Sequence, residues 1–206
     1  VVTVDYVTIA TAGNASTFGN LTVARSYLAG FSSSTRGVFG GGNTGSPSNV
    51  IDYVTIATTG NATNFGDLTG VRYLLTSCSS STRGVFGGGY ISAPLNVIDY
   101  VTIATTGNAI DFGDVTQARY GLAGCSSSTR GVFGGGYANS YVNTIDYVTI
   151  ATTGNATDFG DFTTARYGVV GCSSSTRGLF AGGSASSHVV TVDYVTIATA
   201  GNASTF

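Results

Sequence analysis

Lysine, glutamate, tryptophan and methionine are missing altogether from this 206-residue chain, proline occurs twice and histidine once. All eight positive charges are therefore arginines, all ten negative charges are aspartates, and the net charge is −2. No basic stripe is present to meet a phosphate backbone, so nucleic acid is not an expected partner. No apolar run approaches the roughly 18 residues of a membrane helix, and no signal peptide is visible, so no membrane span is expected. A single imidazole, with neither Glu nor Lys, leaves little material for general acid–base chemistry. We expect no enzymatic activity, no cofactor and no metal site. The low charge predicts a surface of hydroxyls and glycines, or one occupied by neighbours.

What is present is glycine, 31 residues of it, with abundant Ser and Thr and a hydrophobic content of 42%. That mixture is too apolar for a disordered linker and fits an all-β chain with many turns. A chain of this length can bury roughly 70% of its unfolded surface in one domain.

A fixed period dominates the sequence. The pair Asp-Tyr recurs at Asp5, Asp52, Asp99, Asp146 and Asp193, each step being 47 residues. Four full repeats (1–47, 48–94, 95–141 and 142–188) are followed by 189–206, which begins a fifth and is identical to 1–18. The first and last copies share VDYVTIATAGNASTF, whereas the middle three read IDYVTIATTGNA. Such shared private variants predict a duplicated four-repeat block or a window on a longer periodic array. The last copy ends inside a phrase that the first copy continues to Gly19 and Asn20.

Strands are legible within each repeat. The segment 50–58, VIDYVTIAT, is β-branched and aromatic, ends at a Thr-Gly-Asn turn signal, and lacks clean polar alternation, as suits a strand covered on both faces. Segments 118–128 and 130–136 read as a second and third strand joined by a Ser-rich turn, and 64–68 as a fourth, outer strand. Helical spacing appears nowhere. Four short strands per period predict an all-β fold of propeller blades, each a four-stranded antiparallel sheet, one per repeat.

Arg119, an apolar strand, VFGGG (132–136), a variable loop, TIDYVTI (144–150), DFGDF (158–162) and Arg166 follow in an order that resembles the kelch repeat, with Phe65, Phe112 and Phe159 where Trp is usual. The wording is also similar to kelch-like arrays of phage tail-fibre and microbial surface proteins. The resemblance implies a β-propeller with a structural or receptor-binding role, outside the cell or on a virion. The copper-radical oxidase chemistry of some kelch-type propellers cannot be assembled from these residues.

Individual positions sharpen the expectations. Gly87, Gly88 and Gly89 and their counterparts each cost about 0.5–1 kcal/mol relative to alanine in a strand, a cost tolerated where backbones approach closely near a crowded axis. A phosphate-cradling reading of them fails for want of a following helix and Lys. Cys78, Cys125 and Cys172 recur at the period, with Phe31 in the equivalent place of the first repeat, so apolar packing and three buried free thiols are expected. Asp111 with Asp114, and Asp158 with Asp161, have D-x-x-D spacing open to calcium; turn capping is the preferred reading, because Asn64 and Thr17 interrupt the pattern. Arg25, Arg72, Arg119 and Arg166 enter one strand, while Arg36, Arg83, Arg130 and Arg177 leave the SSST turn. Asp5, Asp52, Asp99 and Asp146 precede the tyrosines, and at least one Arg per repeat should pair with such an Asp of a neighbouring repeat, since an unpaired charge on a blade face is costly. A rim of Arg and Ser that binds an acidic ligand is the competing idea. Sequons at Asn14, Asn20, Asn61, Asn155 and Asn202 would carry glycans in a secreted protein, although a Thr-rich chain also produces such triplets by chance.

Variation is concentrated in the loops GNTGSPSN, GYISAPLN, GYANSYVN and GSASSHVV, which place Asn43, Ser46, Tyr90, Ser92, Tyr137, Asn139, Ser184 and His188 as candidate ligand-presenting residues. His188 stands where the other repeats have Pro47, Pro94 and Tyr141 and reads as a loop residue rather than a base. Two functions are expected in order: a structural, self-associating fibre or filament protein, such as part of a phage tail fibre, and a propeller module displaying these loops to glycans, proteins or a host surface. If four blades closed into a ring, 1–18 and 189–206 would compete for one place, and the surplus copy would be displaced, exchanged, or devoted to a further unit.

Overall fold

Turn signals cut each repeat into short β-branched or aromatic segments, too brief and too irregularly spaced to form helices, and each becomes a strand. The structure, a computed structural model, describes residues 2–206; Val1, the first residue of the duplicated phrase, lies outside them. Strands β1 (Thr3–Tyr6) and β2 (Ser16–Asn20) form a two-stranded sheet. Blade 1 comprises β3 (Ala29–Ser32), β4 (Arg36–Gly40), β5 (Val50–Thr55) and β6 (Thr63–Asp67). Blade 2 comprises β7 (Thr76–Ser79), β8 (Arg83–Gly87), β9 (Val97–Thr102) and β10 (Ile110–Asp114). Blade 3 comprises β11 (Ala123–Ser126), β12 (Arg130–Gly134), β13 (Thr144–Thr149) and β14 (Thr157–Asp161). Blade 4 comprises β15 (Val170–Ser173), β16 (Arg177–Ala181), β17 (Val192–Thr196) and β18 (Ser204–Thr205).

Every blade is an antiparallel meander in chain order, and the four are arranged as a β-propeller with β3, β7, β11 and β15 innermost. No helix occurs among the described residues. Strand limits are tighter than expected. The strand expected over 118–128 runs only from Ala123, because Gly121 turns the backbone at φ 64° and Arg119 sinks into the core. The strand expected over 130–136 stops at Gly134, because Gly135 and Gly136 take φ of 68° and 112°. The antiparallel turns put the Ser-rich and Thr-Gly-Asn connections at one end of each blade and the variable loops at the other.

The cores lie between blades rather than within one central mass. One joins Cys78, Val85, Ile98 and Phe112 of blade 2 to Phe133, Val148 and Ile150 of blade 3, and similar clusters join blade 1 to 2 and blade 3 to 4. Each large side chain so buried contributes about 1.5–3 kcal/mol. Close approach happens at these joints, and also on the innermost strands, where a Cβ on Gly124 would overlap the Ser77 carbonyl and one on Gly171 the Gly124 carbonyl. A Cβ on Gly131 would overlap the Cys78 sulfur, and one on Gly87 would stand 3.2 Å from the Phe133 ring. Gly88 and Gly89 lie past the strand, at φ of 64° and 119°. Polar links repeat at every joint. Arg83 donates from Nη1 to Ile150 O (3.0 Å) while its guanidinium stacks 4.2 Å from the Tyr100 ring. Ser126 Oγ donates to Ser79 O and Ser173 Oγ to Ser126 O, both at 2.8 Å. Asn155 Oδ1 accepts from Asp114 N at 3.1 Å.

The competition between the duplicated ends has a definite outcome. The C-terminal copy takes the place beside β16, with Arg177 opposite Thr196 and Leu179 opposite Tyr194. The N-terminal copy is displaced into the β1–β2 sheet, which leans on blade 1 as a preceding half-blade: Gly60 N donates to Phe18 O (2.9 Å) and Ala62 N to Asn20 O (2.8 Å). Two flanks stay uncovered. Val170 is 70% exposed where the equivalent Ala123 is 3%, and Ile9 is 97% exposed where the equivalent Ile150 is 1%. Cys172 is exposed for the same reason, which corrects the expectation of three buried thiols: Cys78 is covered by blade 3 and Cys125 by blade 4, whereas no described blade covers Cys172.

Candidate functional site

The variable loops rest on a buried ionic floor. Arg25, Arg72, Arg119 and Arg166, each just ahead of an inner strand, meet Asp52, Asp99, Asp146 and Asp193 at 3.0, 2.9, 2.8 and 3.1 Å. The pairs join neighbouring sequence repeats, as expected, yet each lies within one blade. Asp146 also accepts from Thr116 Oγ1 (2.6 Å) and Thr116 N (3.1 Å), and Arg119 Nη2 donates to Phe133 O (3.2 Å). Burial pulls the Arg119 guanidinium below its ordinary pKa, and Asp146 pulls it partly back. Arginine backbone carbonyls then hold the preceding blade's loop, with Gly89 N donating to Arg119 O at 3.0 Å and Gly136 N to Arg166 O at 2.9 Å. The rim of free arginines offered as an acid-binding alternative does not form from these four, because they are buried.

Directly after three of these arginines come Tyr73, Tyr120 and Tyr167, and the buried anchor aims them at the loops. Tyr73 bridges Tyr90, Tyr120 bridges Tyr137, and Tyr137 bridges Tyr141. The rings form one unbroken row. Tyr27–Tyr73, Tyr73–Tyr90, Tyr90–Tyr120, Tyr120–Tyr137 and Tyr137–Tyr167 have centroid separations of 6.2, 5.7, 5.0, 5.6 and 6.1 Å, and Tyr141 stacks on Tyr167 at 6.0 Å. Most contacts are edge-on or tilted, the favourable arrangement for aromatic quadrupoles. Tyr27 holds a left-handed φ of 55°, a strained position for a ring-bearing residue. Burial, then the neighbouring phenols, push the Tyr120 phenol above its usual pKa.

All eight candidate loop residues fall at this end. Asn43 bridges Pro47, Tyr90 bridges Pro94, and Ser184 bridges His188. Tyr90 Oη donates to Ser92 O at 3.0 Å, Asn139 stands at φ 65°, and Ser46, Asn139 and His188 are exposed. The loops 43–49, 90–96, 137–143 and 184–190 contain no Asp or Arg. Tyr27, Tyr73, Tyr120, Tyr141 and Tyr167 were not picked out from the sequence as site residues, although Arg-Tyr recurring every 47 residues was a readable signal.

The opposite end is different in chemistry. A cavity of about 370 Å³ is lined by serines alone, three from each blade between Ser32 and Ser175. Asn61, Asn155 and Asn202 lie at this end and hold neighbouring blades through Oδ1, while Asn20 lies on β2 and Asn14 in the turn before it. Asp111 accepts from Gly113 N at 3.3 Å across the β9–β10 bulge, in keeping with a capping role. No group of three or more metal-ligating side chains occurs among the described residues, and no described helix is long and apolar enough to cross a membrane.

Fold and site together define a repeat β-propeller of four-stranded blades with one uncharged, tyrosine-lined loop face. The chain matches no family model and no curated protein.

Proposed function

We propose that this chain is a non-enzymatic structural repeat module of kelch-like type, one stretch of an extracellular or virion-surface fibre whose blades stack on further copies of themselves. The observation that supports this best is the pair of uncovered flanks. Each is one half of the joint that the described blades form three times: Val170 and Cys172 on one side, Phe39 and Ile56 on the other. A further repeat would bring its counterpart of Gly37 over Cys172 as Gly178 covers Cys125, and a second copy would do so with Gly37 itself once its β1–β2 half-blade gave way to the β17–β18 pair of blade 4. Ala181 stands where Gly40, Gly87 and Gly134 receive an aromatic ring, so a ring entering that joint would have to shift to clear its methyl group. Light scattering of the 206-residue chain should show concentration-dependent assemblies. Deleting 189–206 frees the edge of β16 for the β1 of another molecule, whose sequence equals that of the lost strand, and should enlarge the assemblies. A monodisperse monomer unchanged by the deletion overturns the reading.

The tyrosine row favours a second reading, in which the array displays its loop face to a ligand. Exposed aromatic patches with polar rims mark interaction surfaces, and here the patch coincides with the part of the repeat that varies most.

A further inference from the structure

We propose that the tyrosine row binds an extended neutral polysaccharide, laid across the loop face with its sugar rings against the aromatic rings. This rests on the display reading of that face and adds the class of ligand.

Charge selects first. The four loops carry no Asp or Arg, and the arginines beneath them are buried and already paired. Within the loops a polyanion would find no counter-charge beyond the single imidazole of His188, and a polycation would find no carboxylate. Chemistry selects next. A sugar ring has an apolar C–H face and a rim of hydroxyls, and tyrosine matches both with a flat ring and a phenol that donates and accepts. Asn43, Ser92, Asn139 and Ser184 add amide and hydroxyl groups alongside.

Shape selects last. The rings follow one another from Tyr27 ahead of blade 1 to Tyr167 ahead of blade 4, at 5.0–6.2 Å steps, so they make a track and not a socket. The ligand that fits a track is a chain. Tyr27 is 61% exposed, Tyr141 38% and Tyr167 36%, which leaves rings accessible at both ends of the row. The half-buried rings between them hold the row rigid, and so reduce the ordering cost of binding.

Affinity electrophoresis of the full chain tests the idea, in gels containing a neutral β-glucan, a neutral galactomannan, or the anionic polymer alginate. The expected result is retardation by at least one neutral polymer and none by alginate. Tyr141→Ala with Tyr167→Ala should weaken retardation at least tenfold, as should Tyr27→Ala to a lesser degree, with unchanged circular dichroism. Tyr120→Phe, which keeps the ring and the fold, should retain most of the affinity. Retardation by alginate only, by no polymer, or equally in the alanine variants overturns the proposal. Failure of the display reading itself looks different: Tyr27, Tyr141 and Tyr167 would resist nitration in the assembled protein because a protein neighbour covers them.

Discussion

Replacing Asp146 by alanine removes the centre of a buried network. Its carboxylate, fully buried, holds Arg119 at 2.8 Å and accepts from Thr116 Oγ1 at 2.6 Å and Thr116 N at 3.1 Å. In the variant, Arg119 remains fully buried with the Phe133 carbonyl, 3.2 Å away, as its acceptor. An uncompensated buried charge costs about 3–5 kcal/mol, a large part of the roughly 5–15 kcal/mol that folding supplies. Asp146→Asn preserves shape and can still accept from Thr116, so its cost should be nearer 2–3 kcal/mol, about that of a lost hydrogen bond to a charged group. The chain contains its own control. Asp5 occupies the same place in the repeated phrase but is exposed, and Asp5→Ala should change stability by less than about 0.5 kcal/mol. Urea denaturation followed by circular dichroism reads the difference, in the transition that includes blade 3, since repeat proteins need not unfold in one step. Equal effects of Asp146→Ala and Asp5→Ala would refute the reasoning.

Gly131→Ala should cost about 1–3 kcal/mol by overpacking the Cys78 sulfur, and adding Cys78→Ala should recover part of that loss, a coupling that denaturation of the double variant measures. Gly13→Ala, with nothing near its Cβ position, should be silent in the same assay. Burial pushes the Cys125 thiol up to about 12 and Cys78 higher still, so at neutral pH both should resist thiol reagents in the folded protein and react once unfolded; rapid labelling of either without denaturant would contradict the joints described. The raised Tyr120 phenol is held protonated by the fold. Its contribution to stability should be complete below the ordinary tyrosine value of 10.0 and fall as pH rises through the folded value. An ultraviolet titration in which Tyr120→Phe removes an early-ionising phenol instead of a late one would show the sign to be wrong.

Periodicity carried most of the fold. Asp-Tyr at every forty-seventh position, with β-branched runs between turn signals, was enough to predict four-stranded blades, and the Arg–Asp pairing followed from the cost of burying charge. Strand limits were less legible, because Gly121 and Gly135 act through left-handed backbone angles that composition does not reveal. Cys172 was misplaced because equivalence by repeat assumes equivalence of neighbours, and the blade 4 flank lacks a described one. The arginines after the SSST turn could not be assigned by pattern: Arg83 reaches Ile150, 67 residues away, only because the blades stack. The loop residues are marked by their variation, whereas Tyr73, Tyr120 and Tyr167 recur at the period and carry no such mark, and Tyr27 and Tyr141 stand where the other repeats have no tyrosine.

The proposed stacking would cover the blade 4 flank with a further blade of the same kind, and the exposed Cys172 thiol reports on it directly. Its labelling rate should be fast in dilute protein and fall as concentration drives assembly, while Cys78 and Cys125 stay protected throughout. Assemblies in which Cys172 reacts as fast as in the dilute chain would contradict the account.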